Sequence, residues 1–524
     1  PGAGSREPGA GSREPGAGSR EPGAGSREPG AFGLTAEWLV YEGELIPSAV
    51  VLSHEEQLAR LRVGCPEALP VAHVVGDPCM DRLRASLPFR AEYRAALGVR
   101  PDQRLLVLSS TWGRRSLLGA AGDLVLRALA ELPHDSFRVL AAVHPNAWYG
   151  HGGWQLRSWL RPHLDAGLLL PPPAGGTWQA ALCAADAFIG DHGSVTLYAA
   201  GLGLPGLLGA FDEDGVAAGS PMAALGGALP RVSPAHPLAA QLERAARDQP
   251  TDPRLAAVTS QITSHPGEAP ARLRRLCYRM LDLDEPTAPL APRPVDVPRD
   301  LPPTPRSPVE LPLFVEALVT TDDVTDAAAG PDRPTEPAGP AGPTDPAGST
   351  EPDGSTRPAG PTRPTGSTGP TDLLIRRHPA HARAAATPHP PLTDAHVSVT
   401  AGEPEPRWAH AADVVTARTP ARGHQLTVLT AELFTAHPGC ALVAVPQEDG
   451  RCVLLPRNGT PLQGRWESPP AWVTASLAAS AVYACLLRHG DGWEGEVRVR
   501  LTPDGVPALL RVRRLDADPV AYGG

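Results

Sequence analysis

The chain has 524 residues, enough for two or three domains of ordinary size. Its formal net charge of −10 argues against nucleic acid as its main partner. The sequence contains no lysine, which excludes a phosphate-binding loop ending in Gly-Lys-Ser or Gly-Lys-Thr, and with it a translational GTPase.

The cysteines indicate neither a disulfide framework nor a metal site. They are seven in number and scattered, and no two have the Cys-x-x-Cys spacing. We therefore expect reduced, mostly buried thiols in a cytoplasmic protein. The cysteines are Cys65, Cys79, Cys183, Cys277, Cys440, Cys452 and Cys485.

The sequence shows no apolar stretch of membrane-spanning length and no signal peptide. It begins at Pro1, and its first methionine is Met80, inside a predicted domain. We therefore expect a fragment, or a start that was processed or misassigned. The abundance of Ala, Gly, Pro and Arg is typical of GC-rich coding, as in actinobacteria.

The first segment in chain order is a repeat. Residues 1–28 are four copies of Pro-Gly-Ala-Gly-Ser-Arg-Glu. Each copy holds a proline and two glycines and lacks the apolar pair of a coiled-coil heptad. We predict that residues 1–33 are disordered.

Strand and helix patterns alternate through the middle of the chain. Residues 34–85 contain short apolar runs and a predicted helix over His54–Arg62, and the alternation occupies 86–284. This order predicts an α/β fold, a doubly wound parallel sheet with helices on both faces. The predicted strands are Arg104–Ser109, Phe137–Val143, Gly167–Leu170, Ala187–Gly190 and Gly206–Leu208, and the predicted helices are Leu124–Leu132, Trp178–Ala185 and Ser194–Gly201.

The rest of the chain is predicted to be a linker followed by a further domain. Residues 285–394 are rich in Pro, Gly and Thr and are predicted to be a linker, with one apolar island over Val309–Val319 that could pack on a neighbour. Residues 395–524 are predicted to be a small α+β domain of unknown role. Its predicted elements are a hairpin of Ala441–Val445 and Cys452–Leu455, a helix over Val473–Leu487, and paired strands Glu496–Leu501 and Ala508–Val512.

Three of the predicted strands end in polar or glycine-rich residues, and a parallel sheet places such ends on one edge. The segments are Ser109–Arg115, His144–Asn146 and Asp191–Thr196. Ser194 is a candidate helix N-cap, and Gly193 allows a close approach of ligand to backbone. Free amides at a helix start favour an anion, so phosphate is the ligand that this edge suits.

Each segment also has a structural interpretation. Ser110 and Thr111 could serve as a helix cap and nothing more. His144 could be a structural histidine whose hydrogen bonds are all made within the protein. The Asp191–Thr196 turn could be a capped helix start, and Arg114 could be a solvated surface arginine. The three segments together favour a binding site more than any one does.

The order of these motifs resembles the CDP-glycerol glycerophosphotransferase family, whose members have the two-domain GT-B fold. The resemblance spans about residues 74–215. Val75–Asp81 (VGDPCMD) resembles the V-G-x-P-x-x-D segment at the crossover between GT-B domains, and the matching motifs that follow are Arg90–Gly98, Thr111-Trp112, Val143–Asn146, Ala185–Val195 and Gly203–Pro205.

The resemblance implies that 86–284 is the donor-binding half and that 34–85 is a remnant of the amino-terminal domain with its crossover. Gly113 stands where that family commonly has arginine, and His192-Gly193 replaces its usual Tyr-Ser, which leaves the donor open. No general base is identified, and neither metal nor cofactor is expected. The expected donor-binding residues are Ser110, Thr111, Gly113, Arg114, His144, Asp191, His192, Gly193, Ser194, Val195 and Thr196.

The function implied by the resemblance is transfer of glycerophosphate or a sugar from a CDP- or UDP-linked donor to a cell-envelope polymer such as a teichoic acid. The acceptor would be a polyol or glycan, reached in the cytoplasm or at the inner face of the membrane. Only 34–85 could belong to the acceptor-binding domain, so we expect the transferase to be incomplete in this chain. Two alternatives stay open: a sugar-nucleotide epimerase-like enzyme, and a non-catalytic nucleotide-diphosphate-binding or scaffold protein.

Overall fold

The computed structural model describes residues 33–299, 311–320, 370–386, 395–447 and 450–515. These residues form an α/β domain with a short amino-terminal extension, and a closed nine-stranded barrel. The repeat of 1–28 and residues 321–369 of the expected linker lie outside the described residues.

The described residues 33–299 contain fifteen α-helices and eight strands. The strands are β1 Val40–Tyr41, β2 Glu44–Leu45, β3 Val50–Leu52, β4 Ala72–Val74, β5 Arg104–Ser110, β6 Phe137–Val143, β7 Ala187–Gly190 and β8 Gly206–Leu208. The helices are α1 Ala36–Leu39, α2 Glu56–Gly64, α3 Pro78–Ser86, α4 Arg90–Ala96, α5 Leu117–Ala120, α6 Asp123–Glu131, α7 Pro145–His151, α8 Gly153–Trp159, α9 Arg161–Asp165, α10 Thr177–Ala184, α11 Ser194–Gly201, α12 Pro221–Ala228, α13 Leu238–Asp248, α14 Pro253–Ser260 and α15 Ala269–Met280.

The α/β domain is built on a parallel sheet of four strands in the order β6-β5-β7-β8. Strand β5 is a continuous apolar run because helices cover both of its faces. Leu106 and Leu108 pack into the core on one face, and Leu105 and Val107 pack into the core on the other. The doubly wound α/β prediction is confirmed for this domain.

The prediction of a strand at Gly167–Leu170 is wrong. This segment makes only one isolated parallel bridge, between Leu140 and Leu169. Three prolines, 171–173, follow it directly. Proline has no N–H to donate to a ladder, so pairing cannot continue there.

The segment before the sheet is tied to the far end of the domain by two aspartates. Asp77 caps α3 by accepting the Met80 N–H at 2.7 Å. Asp81 is buried and accepts the N–H groups of Gly267 at 2.6 Å and Ala269 at 2.9 Å. The Asp77 carboxylate therefore caps α3, and the Asp81 carboxylate fixes that helix against the start of α15.

The second half of the described chain forms the barrel, in the order β10-β16-β17-β15-β14-β13-β12-β11-β9. Its strands are β9 Leu313–Val319, β10 Thr371–Pro379, β11 Ala395–Thr400, β12 Val414–Thr416, β13 Leu442–Pro446, β14 Arg451–Pro456, β15 Leu462–Glu467, β16 Gly495–Arg500 and β17 Ala508–Arg514. Its helices are α16 Ala380–Ala385, α17 Pro406–Ala411, α18 Gly423–Ala436 and α19 Ala475–His489.

Helix α19 packs against the inner face of the barrel. Its small side chains, among them Ala478, Ala479 and Ala481, belong to one core cluster with inward-facing residues of eight of the nine strands. Closure pairs the strands of the barrel on both sides, and the apolar side chains of the helix fill much of the interior. The predicted hairpin of β13 and β14 and the predicted pairing of β16 with β17 are confirmed.

The expected linker of 285–394 is corrected in three places. Residues 311–320 and 370–386 supply β9, β10 and α16, so the last folded unit is not confined to 395–524. Val295 is also buried against the α/β domain, where its carbonyl accepts the Tyr93 hydroxyl at 2.6 Å and its N–H donates to Ser86 at 2.8 Å. The predicted apolar island contains β9, which packs on a neighbouring strand as expected, whereas the average composition hid the apolar run of β10.

A buried ion pair joins the barrel to the α/β domain. Arg377 of β10 donates to both carboxylate oxygens of Asp135, at 2.7 and 2.6 Å, and both residues are almost fully buried. The His134 N–H donates to the Arg377 carbonyl at 2.7 Å, and Ala382 of α16 packs into the α/β core. Because 134–135 precede β6, the barrel packs near the amino edge of the parallel sheet.

Replacing Arg377 by methionine should strongly destabilise the chain. The substitution keeps much of the side-chain volume but leaves the Asp135 carboxylate buried without its partner, at a cost of about 3–5 kcal/mol. Urea unfolding of the full chain measures this loss. Arg254→Met removes the arginine of an exposed pair with Asp252 and serves as the control, with an expected change below about 1 kcal/mol. Equal effects of the two substitutions would contradict the assignment.

The same interface should make stability depend on pH. Burial lowers the pKa of His134 to about 4, against the opposing charge of Asp135. Burial, aided by Arg383 and Arg376, also lowers the pKa of His378 to about 4. The unfolded chain protonates both histidines below about pH 6.5, so between pH 6.5 and 4 it binds more protons than the folded chain.

Stability should therefore fall as the pH falls through that window, by up to about 1.4 kcal/mol per pH unit for each histidine. Urea unfolding at a series of pH values gives the slope. His134→Gln or His378→Gln should reduce it, while His236→Gln, at an exposed position, should not. A slope that is unchanged in both interface variants would refute this account.

Candidate functional site

The carboxylate of Asp191 holds together the loops that follow β5 and β7. Asp191 is fully buried, and its Oδ2 accepts the N–H groups of Thr111 at 2.8 Å and Leu117 at 2.9 Å. Its Oδ1 accepts the Gly193 N–H at 2.9 Å. The Asp191 N–H donates to the buried Thr196 hydroxyl at 3.2 Å. This carboxylate therefore sets the relative positions of the two loops.

His144 follows β6 and lies beside the same loops. Its N–H donates to the Ser110 carbonyl at 3.0 Å, and its Nδ1 accepts the Asn146 N–H at 3.0 Å, which caps α7. Partial burial lowers the pKa of His144 from its usual value, while the charge of Asp191 opposes that shift. The lowered pKa favours the neutral imidazole, whose Nδ1 accepts the Asn146 N–H.

Ser194 does not cap helix α11, contrary to the sequence-based expectation. Gly193 occupies the N-cap position, and Ser194 is the exposed first residue of the helix. The cause is the turn that Asp191 forms with the Gly193 N–H, two residues on, which shifts the helix start by one residue. A Cβ on Gly193 would lie 3.1 Å from the Thr111 Cβ, a tight contact that favours glycine here.

The loop after β5 projects outward at the same edge. Gly113 has a φ of +91°, a left-handed conformation that favours glycine. Ser116 accepts the Gly119 N–H at 3.2 Å and thereby caps α5. Trp112 and Arg114, on either side of Gly113, are exposed.

Three residues outside the list of expected donor-binding residues complete this edge. They are Arg115, Phe211 and Asp212. Asp212, after β8, pairs with Arg115 at 2.6 Å, and its N–H donates to His192 Nδ1 at 3.3 Å. Burial acts to raise the pKa of Asp212, but the hydrogen bond and charge of Arg115 outweigh it and lower that pKa. Phe211 meets the His192 ring edge-on, with 6.2 Å between centroids. Asp212 lies outside all three motifs, so only the contact itself reveals it.

The expected donor-binding residues therefore divide into two sets. Ser110, Asp191 and Thr196 are buried and hydrogen-bonded within the protein, so they position the others. The remaining residues reach the surface or lie close beneath it. They are Thr111, Gly113, Arg114, His144, His192, Gly193, Ser194 and Val195.

Two cavities open at the carboxyl edge of the sheet. One of about 470 Å³ is lined by Arg115, Phe211 and Asp212 among others. The other, of about 870 Å³, is lined by Phe89, Pro172, Ala174, Gly175, Thr177 and residues 293–299. The parallel bridge of Leu169 to β6 directs Pro172 toward the same edge. The larger cavity has the size of a small-molecule site.

The described residues contain no group of three His, Cys, Asp or Glu side chains that could hold a metal ion. None of their helices has both the length and the apolar character needed to cross a membrane. All seven cysteines are free and five of them are buried, as expected from the sequence.

No protein-family model matches the chain, and no curated protein matches it. Among solved structures, it is similar to a variant of the wall teichoic acid polymerase TagF soaked with CDPG, at 15% identity over 45% of this chain and 57% of that chain, with a TM-score of 0.32. It is similar to WaaG, a glycosyltransferase involved in lipopolysaccharide biosynthesis, at 16% identity over 44% of this chain and 63% of that chain, with a TM-score of 0.24.

A third similar structure is that of S. aureus MnaA with UDP, at 14% identity over 46% of this chain and 61% of that chain, with a TM-score of 0.27. The chain thus spans about three fifths of the length of these proteins. Identities and TM-scores this low assign neither family nor function. A functional assignment therefore has to rest on the residues of this chain.

Replacing Asp191 by alanine should loosen the whole edge. The substitution leaves the amides of Thr111, Leu117 and Gly193 without their acceptor, and each buried unsatisfied donor costs about 1–3 kcal/mol. We expect a loss of at least about 3 kcal/mol in the free energy of unfolding. Hydrogen exchange should be faster at these three amides than in the unaltered chain. Unchanged protection there would show that Asp191 does not organise the loops.

Proposed function

We propose that the carboxyl edge of the α/β domain binds a nucleotide-diphosphate donor, and that the chain belongs to a GT-B-type transferase of cell-envelope polymers. The donor would be CDP-glycerol or a UDP-sugar, and the acceptor a hydroxyl of a polyol or glycan such as a teichoic acid. The reaction would take place in the cytoplasm or at the inner face of the membrane.

One observation carries the proposal. The start of α11, the imidazole of His144 and the loop of Thr111 converge at one edge of the sheet because the buried Asp191 carboxylate binds both flanking loops. The first amides of a helix have no partner within it, so those of Ser194 and Val195 can donate to phosphate oxygens. The neutral His144 and the Ser194 hydroxyl add uncharged donors beside them.

The charge distribution fits a diphosphate held mainly by neutral donors. Asp191 uses the amides of Thr111, Leu117 and Gly193, so these do not contact the ligand. Arg115 is paired with Asp212, which leaves exposed Arg114 as the arginine of this loop placed to supply positive charge. Helix amides and a guanidinium can stabilise a leaving phosphate without a metal ion.

The cavity of about 870 Å³ gives part of such a donor room at the same edge of the sheet. Phe89 offers an aromatic face, and Gly175 allows close approach of the backbone at a φ of +70°. These features suit the nucleoside part of the donor. The donor base stays open, since the cavity lining suits cytosine and uracil alike.

The chemistry would be a single displacement. For CDP-glycerol, the acceptor hydroxyl oxygen attacks the phosphorus that carries glycerol, the bond to the bridging oxygen breaks, and CMP leaves. For a UDP-sugar, the hydroxyl oxygen attacks the anomeric carbon and UDP leaves. In both cases the hydroxyl proton passes to a base, and this role is assigned to no residue of the chain.

Calorimetric titration of the full chain with CDP-glycerol, and separately with UDP-N-acetylglucosamine, tests the proposal. We expect saturable binding of one donor and a dissociation constant about tenfold higher for Ser194→Ala, because a hydrogen bond to a charged group contributes about 1.5–3 kcal/mol. His144→Ala should weaken binding similarly. Ser260→Ala, at an exposed serine of α14, is the matched control and should bind like the unaltered chain.

The outcomes separate the candidate functions. Donor binding with transfer to an added polyol or glycan supports the transferase. Release of an epimerised sugar in the absence of an acceptor would instead indicate an epimerase-like enzyme. Binding with neither reaction would indicate a nucleotide-binding scaffold. A folded chain that binds neither donor would refute the site itself.

A further inference from the structure

The barrel contains a polar seam that its packing does not account for. His396, Ser398 and Thr416 lie on inward-facing positions of β11 and β12, since their cross-strand partners belong to the core around α19. Those partners are Val315 for His396, Leu313 and Val414 for Ser398, and Ala444 for Thr416. The other strands present apolar residues to the same helix.

Helix α19 presents a matching polar stripe. Ser476, Ser480 and Tyr483 follow the spacing i, i+4, i+7 and therefore share one face of the helix. The hydroxyls of Ser398 and Ser476 are 3.2 Å apart, and the ring centroids of His396 and Tyr483 are 5.0 Å apart. The helix thus runs antiparallel to β11, and Ser480 lies between these two contacts.

Three polar atoms of this seam have no hydrogen-bond partner among the residues that the structure describes. They are His396 Nε2, Thr416 Oγ1 and Ser480 Oγ, and each of these residues is more than nine-tenths buried. Buried polar atoms in proteins are nearly always hydrogen-bonded, and leaving one unsatisfied costs about 1–3 kcal/mol. Three such atoms along one seam point to a partner from outside the chain.

The seam is uncharged. Burial lowers the pKa of His396 to about 3, so its imidazole is neutral at pH 7. Burial, with Asp413 adding to it, raises the pKa of Tyr483, which keeps the phenol protonated. Burial also raises the pKa of Asp413, whose Oδ2 accepts the Val397 N–H at 2.8 Å. An anionic ligand would therefore lose its water there without gaining a positive partner from His396 or Tyr483.

We propose that the seam between α19 and strands β11 and β12 binds a small uncharged ligand with adjacent hydroxyl groups, a polyol. One hydroxyl donates to His396 Nε2 and a second pairs with the Ser480 hydroxyl. Ser476 and Tyr483, at the two ends of the helical stripe, are partly exposed, which gives a ligand a route inward. This site is independent of the proposed donor site, which lies in the other domain.

Hydroxyls suit the seam better than other small groups do. Imidazole Nε2 in its acceptor form requires a donor, while serine and threonine hydroxyls both donate and accept. A polyol meets both needs with groups on neighbouring carbons. An apolar ligand would leave all three atoms unsatisfied.

Glycerol is the probe, and nitrogen-15 NMR of the histidine side chains of the full chain is the measurement. The His396 signals are identified by their loss in His396→Gln. We expect a saturable shift of the His396 Nε2 signal with glycerol, and none with 1-propanol, which lacks adjacent hydroxyls. In Ser480→Ala the dissociation constant for glycerol should rise at least tenfold.

Ser158→Ala, at an exposed serine of α8 in the other domain, is the control and should leave the titration unchanged. If Ser480→Ala does not fold, Ser480→Cys, which conserves volume and removes the hydroxyl, replaces it with the same expectation. A shift that never saturates, or one of equal strength in the variant, would overturn the proposal. That result would mean that ordered water alone satisfies these atoms.

Discussion

The geometry of the candidate site depends on one buried carboxylate. Asp191 lies at the end of β7 and accepts amides from its own turn and from the loop after β5, so neither loop has its position without it. This arrangement uses a negative charge to build a surface for a negatively charged ligand. It is workable because three backbone dipoles surround that charge, while the amides that begin α11 remain for the ligand.

The second organising contact lies near the opposite edge of the sheet. Arg377 and Asp135 join the barrel to the α/β domain, near the strand starts and away from the strand ends that carry the candidate site. A pair so deeply buried contributes little net stability, but it disfavours any arrangement in which the two charges do not meet. The barrel is thus attached at a place that leaves the carboxyl edge of the sheet accessible.

The sequence predicted the parallel sheet well because fully buried strands are continuous apolar runs, as in β5 and β6. The sequence did not predict β10, because arginine and histidine are usually exposed to solvent. Arg377 and His378 are instead buried against the other domain. Polar strand ends predicted the edge of the candidate site. The acceptor role of Asp191 and the pairing of Arg115 with Asp212 could not be predicted, because they depend on how separate loops approach each other.

The pairing of β9 with β10 has a consequence for how the chain tolerates genetic change. Val319, at the end of β9, is the cross-strand partner of Leu373, near the start of β10, so the chain leaves and re-enters the barrel at neighbouring points. Duplication or deletion of the Pro-, Gly- and Thr-coding triplets between them alters length without shifting strand register. Changes in the number of these triplets can therefore lengthen or shorten the chain with little effect on the folding of its two units.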